Sequence, residues 1–160
     1  MSDLQKLSDV EEIKRTKARY CRFVDLREWA QLRKLFTDDC RFVIAGNDQS
    51  VEEFISLARR WLGNSTSVHS VSMPGIEVAN ADKAAGIWGM EDIVSFPAEG
   101  DEPPKGIHGW GHYHEEYRKE GTHWLIHRLT LTRLRLEIPP GRLPRCLTNR
   151  DGGLPEVSCV

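Results

Sequence analysis

Asp25 sits between apolar Val24 and Leu26 in "RYCRFVDLREWAQLRKLF", residues 19–36, a stretch that otherwise lays down an amphipathic helical pattern. Two uses are open to an acid in that place. With Glu28 three positions on, it has the spacing of a capping box and could start a second helix. Alternatively its carboxylate reaches into an interior and does chemistry. On an ideal helical wheel Asp25 lies toward the flank of the stripe formed by Ile13, Tyr20 and Val24. His69 stands among Val68 and Val71 near the start of a period-two segment. An imidazole ordinarily titrates at about 6.5, so a histidine there is either a base at neutral pH or a satisfied structural group.

Other residues are also out of keeping with their neighbours. Asp92 follows Trp88 and Met90 at period two and should share their face. A carboxylate on an apolar inward face is costly unless paired, which makes Asp92 a pocket candidate. Arg133 shares a face with Leu129 and Leu131, in competition with Arg128 and Arg135. Tyr20 lies on the helical stripe, where a tyrosine commonly buries its ring and wets its hydroxyl. Trp88, Trp110 and Phe42 read as pocket walls or core, a lining that suits a flat polycyclic or aromatic substrate.

A rival constellation is the run of histidines. His108, His112 and His114 fall on one face of a strand pattern, and His123 and His127 on one face of the next. Facing histidines across a hairpin can bind a metal, but no carboxylate completes a recognisable triad, and the alternation with Trp110 and Glu116 also suits an exposed strand. No metal is therefore expected. Neither a G-x-G-x-x-G nor a P-loop is present, so no organic cofactor is expected either.

Those residues must be carried by helices that come first and strands that follow. Ser8 and Glu11 form a capping-box pattern that predicts a helix starting near Asp9. A second short helix runs through "WAQLRKLF", with Leu32, Leu35 and Phe36 inward. "TDD" should break it, and "CRFVIAG" reads as the first strand. "SVEEFISLARRWLG" is a third helix with a Ser50/Glu53 box and a Gly63 stop. Beyond Gly63 the period becomes two. "TSVHSVSMPGIEVAN", "KAAGIWGMEDIVSF", "GIHGWGHYHEEYRKE" and "THWLIHRLTLTRLRLEI" read as four strands, with a tight turn at Lys119–Thr122. Helices before a run of antiparallel strands argue an α+β fold in which one strongly curved sheet wraps around the helices. The boundaries are residues 1–137 for this domain and 138–160 for a Pro/Gly-rich tail.

Composition agrees. A chain of 160 residues suits one domain and buries roughly two thirds of its unfolded surface. The net charge of -2 leaves no basic footprint, so nucleic acid is not an expected partner. No run approaches the roughly 18 apolar residues of a membrane span, and "MSDLQKLSDVEEIKR" lacks an apolar signal region, so the expected location is cytoplasmic with no membrane contact. Cys21, Cys40, Cys146 and Cys159 form no C-x-x-C pair and are expected as free thiols.

The order of these motifs carries a resemblance. Tyr20 and Asp25 on the first helix, "W..L..LFTDD..F", "VHSVSMPGIEV", "IWGMEDIV" and "GHYHEEYRKEGTHWLIHRLTLTRLR" are together similar to the SnoaL-like group of the nuclear-transport-factor-2-like superfamily. The bile-acid 7α-dehydratase and hexachlorocyclohexane dehydrochlorinase branches resemble it most, over residues 8–137. The resemblance implies a cone-shaped α+β barrel with a pocket between curved sheet and helices, and a His–Asp dyad that by motif position is His69 and Asp25. Tyr20 matches the dehydratase tyrosine, Asp92 a pocket acid, and Arg133 the nearest pocket arginine. It further implies dimers or trimers, in which the tail could cover a neighbour's pocket.

A carboxylate behind a histidine fixes its tautomer and stabilises the imidazolium. Elimination or isomerisation needs little more than that base, a group for the leaving oxygen and a dry pocket. The expectation is thus a cofactor-independent lyase of the dehydratase type, acting on a hydroxylated cyclic, steroid- or polyketide-like small molecule. His69, Asp25 and Tyr20 would be catalytic, and Asp92, Arg133, Trp88, Phe42 and Trp110 would bind substrate. An isomerase or cyclase using the same dyad, and a non-catalytic ligand-binding module, are the alternatives.

Overall fold

The computed structural model describes residues 2–98, 100–101 and 105–138, so most of the expected tail lies outside the described residues. Helix α1 (Asp3–Asp25) starts where the Ser2 hydroxyl accepts the Gln5 amide at 3.2 Å. This start is earlier than the Ser8/Glu11 pattern suggests, because Ser2 supplies the cap and Ser8 lies exposed inside the helix. Steps of three and four place Asp9, Ile13, Lys17, Tyr20 and Val24 on one buried stripe. Two charges in that stripe are the first sign that the interior is not purely apolar.

Helix α2 (Trp29–Arg33) is capped at Glu28 with no side-chain bond, so Asp25 does not start it. Leu32, Leu35 and Phe36 point inward as expected. Strand β1 (Phe36–Ile44) absorbs the Thr-Asp-Asp segment expected to be a break. It turns at Ala45 and Gly46, whose φ values of 51° and 77° suit a two-residue hairpin, into β2 (Asn47–Ser50). Four polar residues hid β2 from a search for apolar alternation. Helix α3 (Val51–Leu62) carries the complete Ser50/Glu53 capping box and stops at Gly63, φ 39°.

Strands β3 (Thr66–Val78), β4 (Lys83–Ser95), β5 (Gly106–Glu120) and β6 (His123–Glu137) complete one sheet, ordered β2-β1-β6-β5-β4-β3. Only β1 and β6 run parallel. Register shifts at Ser72/Gly75, Trp110/Gly111 and Glu116/Tyr117 interrupt the long strands, and such bulges bend a sheet. The result is the curled α+β architecture expected from the sequence, with α1 packed against β3 and β6.

The inner face alternates as period two demands. Trp88, Met90, Asp92 and Val94 of β4 are buried while Ile87 and Ile93 are exposed. Phe42 stacks on Phe54 with ring centroids 3.9 Å apart, so its place is the core beneath α3. Lys17 of α1 and Glu115 of β5 meet at 2.5 Å with both side chains wholly buried. Tyr117 donates its hydroxyl proton to the same carboxylate, and the Trp88 indole donates to Tyr117 at 3.0 Å. Removing one partner of such a pair strands the other charge. Lys17→Met is expected to lower stability by about 3–5 kcal/mol, whereas Lys17→Met/Glu115→Leu costs less than the two single changes summed. Urea melts of the three variants measure this; strictly additive losses would show that the pair is uncoupled.

Candidate active site

Asp25 is the last residue of α1, and His69 is the fourth residue of β3. Packing the end of the helix against the start of the strand brings them together across 44 positions. The His69 ring Nδ1 lies 2.6 Å from Asp25 Oδ1. The His69 backbone amide donates to Asp25 Oδ2 at 2.9 Å, and the Ser67 hydroxyl donates to Oδ1 at 2.8 Å. The carboxylate that could have capped a helix thus accepts three bonds from β3. Burial works to raise the Asp25 carboxyl, but the bonds from His69 and Ser67 outweigh it and hold the group below its ordinary value of 3.8. An ionised acceptor at Nδ1 leaves the far nitrogen, Nε2, free to take a proton. The Asp25 side chain keeps 21% of its exposure and His69 keeps 9%, so the pair stands at the rim of the interior.

Register sets the next residues. His69 of β3 lies opposite Asp92 of β4, and Asp92 lies opposite Gly109 of β5. Arg133 reaches over from β6 to clasp Asp92 with both terminal nitrogens, at 2.5 and 2.6 Å. Alternation excludes Arg128 but not Arg135, which has the same parity as Arg133. The register shift at Trp110/Gly111 sends Arg135 to the outer face, over the Trp110 ring, and leaves Arg133 inward with Leu129 and Leu131. A Cβ on Gly109 would collide with both the Arg133 guanidinium and the Asp92 carboxylate, so the missing side chain makes room for the pair. Tyr20 is buried edge-on to Tyr113, with ring centroids 5.9 Å apart. Burial pushes its phenol well above the ordinary range, against a hydrogen bond with Tyr113, and the charges of Glu115 and Asp92 add to the rise. The Lys17 ammonium lies over both rings, 4.1 Å from the Tyr20 centroid and 3.5 Å from that of Tyr113.

Other candidates stand elsewhere. Trp110 is not on the inner wall: the neighbouring buried positions are Gly109 and Gly111, so alternation sends its indole to the outer face. There it stacks on His108 at 3.9 Å. Trp88 faces inward but is tied to Tyr117, and Phe42 belongs to the core under α3. The histidines disperse. His108 bonds Glu91, His114 bonds Thr132, and His127 bonds Thr37. Among the described residues no group of three His, Cys, Asp or Glu is arranged to hold a metal ion. Among the hollows of the described surface, one of about 350 Å³ runs from α1 to the β5–β6 turn and another of about 380 Å³ lies between α2 and α3. Neither is lined by Asp25, His69, Asp92 or Arg133.

Lys17, Glu115 and Tyr113 belong to this inner wall without having been singled out in the sequence. Lys17 had a usable signal, since it lies four residues after Ile13 and three before Tyr20 on the buried stripe.

The SnoaL-like domain family matches residues 5–130, and the chain belongs to that family. Over 137 residues it is 28% identical to the "Probable cyclase FGR4" of Gibberella zeae, an alignment covering 76% of this chain and 89% of the relative. The fold is shared with a type 2 hexachlorocyclohexane dehydrochlorinase, LinA, at a TM-score of 0.75 and 23% identity, covering 88% and 95% of the two chains. It is also shared with a scytalone dehydratase-like protein of Novosphingobium aromaticivorans, at a TM-score of 0.73 and 19% identity, covering 82% and 88%. At these identities the likeness of the solved structures concerns the fold.

Two consequences are measurable. Asp25 titrates below 3.8 when folded, so the stability it contributes is complete above 3.8 and disappears as pH falls through the lower, folded value. Melts of wild type and Asp25→Asn should therefore differ at neutral pH and converge in acid; a gap that persists in acid would mean that the charge is not what Asn removes. Gly109→Ala should part Arg133 from Asp92 and lower the melting temperature, while Gly75→Ala, with open space around the site and no left-handed backbone, should leave the pair intact. An unchanged Asp92–Arg133 contact in the Gly109→Ala crystal structure would refute this.

Proposed function

We propose that this protein is a cofactor-independent lyase of the dehydratase type, acting on a hydroxylated cyclic small molecule of steroid- or polyketide-like shape. The observation that carries the reading is the 2.6 Å contact between His69 Nδ1 and Asp25, which leaves Nε2 as the base. His69 takes a proton from a carbon next to an electron-withdrawing group, and Asp25 stabilises the imidazolium. Arg133 stabilises the carbonyl or enolate oxygen that gains charge. Both Asp92 oxygens are engaged by Arg133, which suits Asp92 to holding that cation and binding substrate. The leaving hydroxyl then falls to Tyr20, whose phenol keeps its proton and can donate a hydrogen bond. The carbon proton and the hydroxyl leave together as water, so the reaction balances without a co-reactant.

A cyclase or isomerase using the same base is favoured by one finding, the similarity to the "Probable cyclase FGR4". A ligand-binding module without turnover is favoured by another, that the two hollows open away from the dyad. The proposed compartment is the cytoplasm, in keeping with the free thiols of Cys21 and Cys40; no helix among the described residues is long and apolar enough to cross a membrane. Assembly into a dimer or trimer is proposed from the outer sheet face, where Val68 is 52% and Ile87 50% exposed.

Incubation with a panel of hydroxylated cyclic ketones, followed by mass spectrometry, separates these readings. Loss of water marks the lyase, unchanged mass with altered retention marks the isomerase or cyclase, and binding without conversion marks the module. For the lyase, His69→Ala and Asp25→Asn should each lower turnover by about 10²–10⁴-fold while the fold is kept. Wild-type turnover in either variant would sink the dyad.

A further inference from the structure

Two residues past the end of α1, an arginine stands in a glycine's conformation. The Glu28 amide reaches the Phe23 carbonyl at 2.9 Å and the Arg27 amide reaches that of Val24 at 3.2 Å, the bond pair of a Schellman cap. Arg27 holds the left-handed position at φ 61°. Glycine normally fills that position because a Cβ is strained there. Backbone geometry therefore argues against an arginine, and the reason for one must lie in its side chain.

That side chain joins the end of the helix to the start of β3. Nη1 donates to the carbonyls of Val24 at 2.8 Å and Asp25 at 3.0 Å, and to the Ser67 hydroxyl oxygen at 2.7 Å. Nη2 donates to the Ser65 carbonyl at 2.7 Å and its hydroxyl at 3.1 Å. Nε is buried without a partner, so the guanidinium is seated by its two terminal nitrogens alone. A serine has one hydroxyl proton. The Arg27 guanidinium has no acceptor for it, so the Ser67 proton goes to Asp25 Oδ1 at 2.8 Å. The bonds form a series that ends on the carboxylate: Arg27 to Ser67, Ser67 to Asp25 Oδ1, and the His69 ring to the same oxygen.

We infer that Arg27 and Ser67 are positioning residues for the base: the guanidinium fixes the serine rotor, the serine fixes the Asp25 carboxylate, and the carboxylate fixes the tautomer of His69. With Oδ1 and Oδ2 both accepting, neutral His69 keeps its proton on Nδ1 and leaves Nε2 as the basic nitrogen. The role rests on reading Asp25 and His69 as the base, yet its test needs no substrate. A simple staple between helix and strand is the competing explanation, and it predicts an effect on stability alone.

Arg27→Gly separates the two, because glycine suits the left-handed cap while deleting the guanidinium. Ser67→Ala removes the middle of the series with a minimal change of shape. Ser65→Ala removes an Arg27 contact that does not touch the carboxylate. Proteins labelled with ¹⁵N in the imidazoles and ¹³C in the aspartate carboxyls report the His69 tautomer and the Asp25 titration. In wild type the Nδ1–H form should outnumber the Nε2–H form by about tenfold or more, as expected for a hydrogen bond to a charged acceptor. In Arg27→Gly and Ser67→Ala that preference should fall severalfold and the Asp25 titration should move up, since Ser67→Ala deletes a donor to the carboxylate and Arg27→Gly frees that donor to turn away. Ser65→Ala should match wild type in both. Wild-type spectra in folded Arg27→Gly and Ser67→Ala, with only the melting temperature changed, would overturn the inference, as would a wild-type His69 in the Nε2–H form. Failure of the lyase assay would leave this result standing, so the two readings fall separately.

Discussion

Helix α1 carries three acids and bases toward the sheet, and each finds its own partner there. Asp9 accepts from Lys119 and the Trp124 indole, Lys17 meets Glu115, and Asp25 meets His69. The three are eight residues apart, just over two turns, so they look out in successively rotated directions along the helix. A sheet that curls around the helix can meet all three; a flat one could not. Sliding α1 by one residue would turn every one of these groups by about 100° and bury a charge without its counter-ion. Hydrophobic burial of Ile13, Tyr20 and Val24 pulls the helix onto the sheet without choosing a register. The charged contacts choose it, and the register is what delivers Asp25 to His69.

The same arrangement sorts charge inside the wall. The Lys17–Glu115 pair lies deep, the Asp92–Arg133 pair sits above Gly109, and Asp25–His69 stands at the rim. Tyr20 and Tyr113 pack in this wall edge to face, with the Lys17 ammonium over both rings. Low surrounding polarity strengthens every charge–charge contact in such a wall and penalises any unpaired one. A substrate oxygen acquiring negative charge would find Arg133 already ordered, without solvent to reorganise.

Alternation along β4 was enough to turn Asp92 inward, and along β6 it put Arg133 on the face of Leu129 and Leu131. It could not part Arg133 from Arg135, because the bulge at Trp110/Gly111 that does so is invisible to a two-residue period. The helical stripe was enough for Tyr20. Pairing Asp25 with His69 was beyond periodicity, since 44 residues separate them and local chemistry offered the Asp25–Glu28 cap as a rival; family likeness supplied the pair. Ser8 and Glu11 misled for a similar reason, as a capping pattern inside a helix that Ser2 already starts. Trp110 was lost to face assignment, because glycines at 109 and 111 hid which side of β5 is inward. Arg27 gave no sequence signal, since a left-handed backbone is invisible when the residue is not glycine.

If the dyad acts as proposed, it sets the first chemical step and leaves the second open. With the proton on His69, the carbanion or enolate would expel an oxygen, take the proton back at another carbon, or attack an electrophile within the same molecule. Which happens depends on what stands opposite Nε2 and on the geometry of the bond to be broken. Here the group beside the Asp92–Arg133 pair is a phenol that keeps its proton, a donor able to follow a departing hydroxyl. An interior offering only apolar side chains at that point would favour return of the proton. On the proposed function, the position of Tyr20 relative to the substrate's leaving group would therefore decide between elimination and the isomerising or cyclising paths that the same base could start.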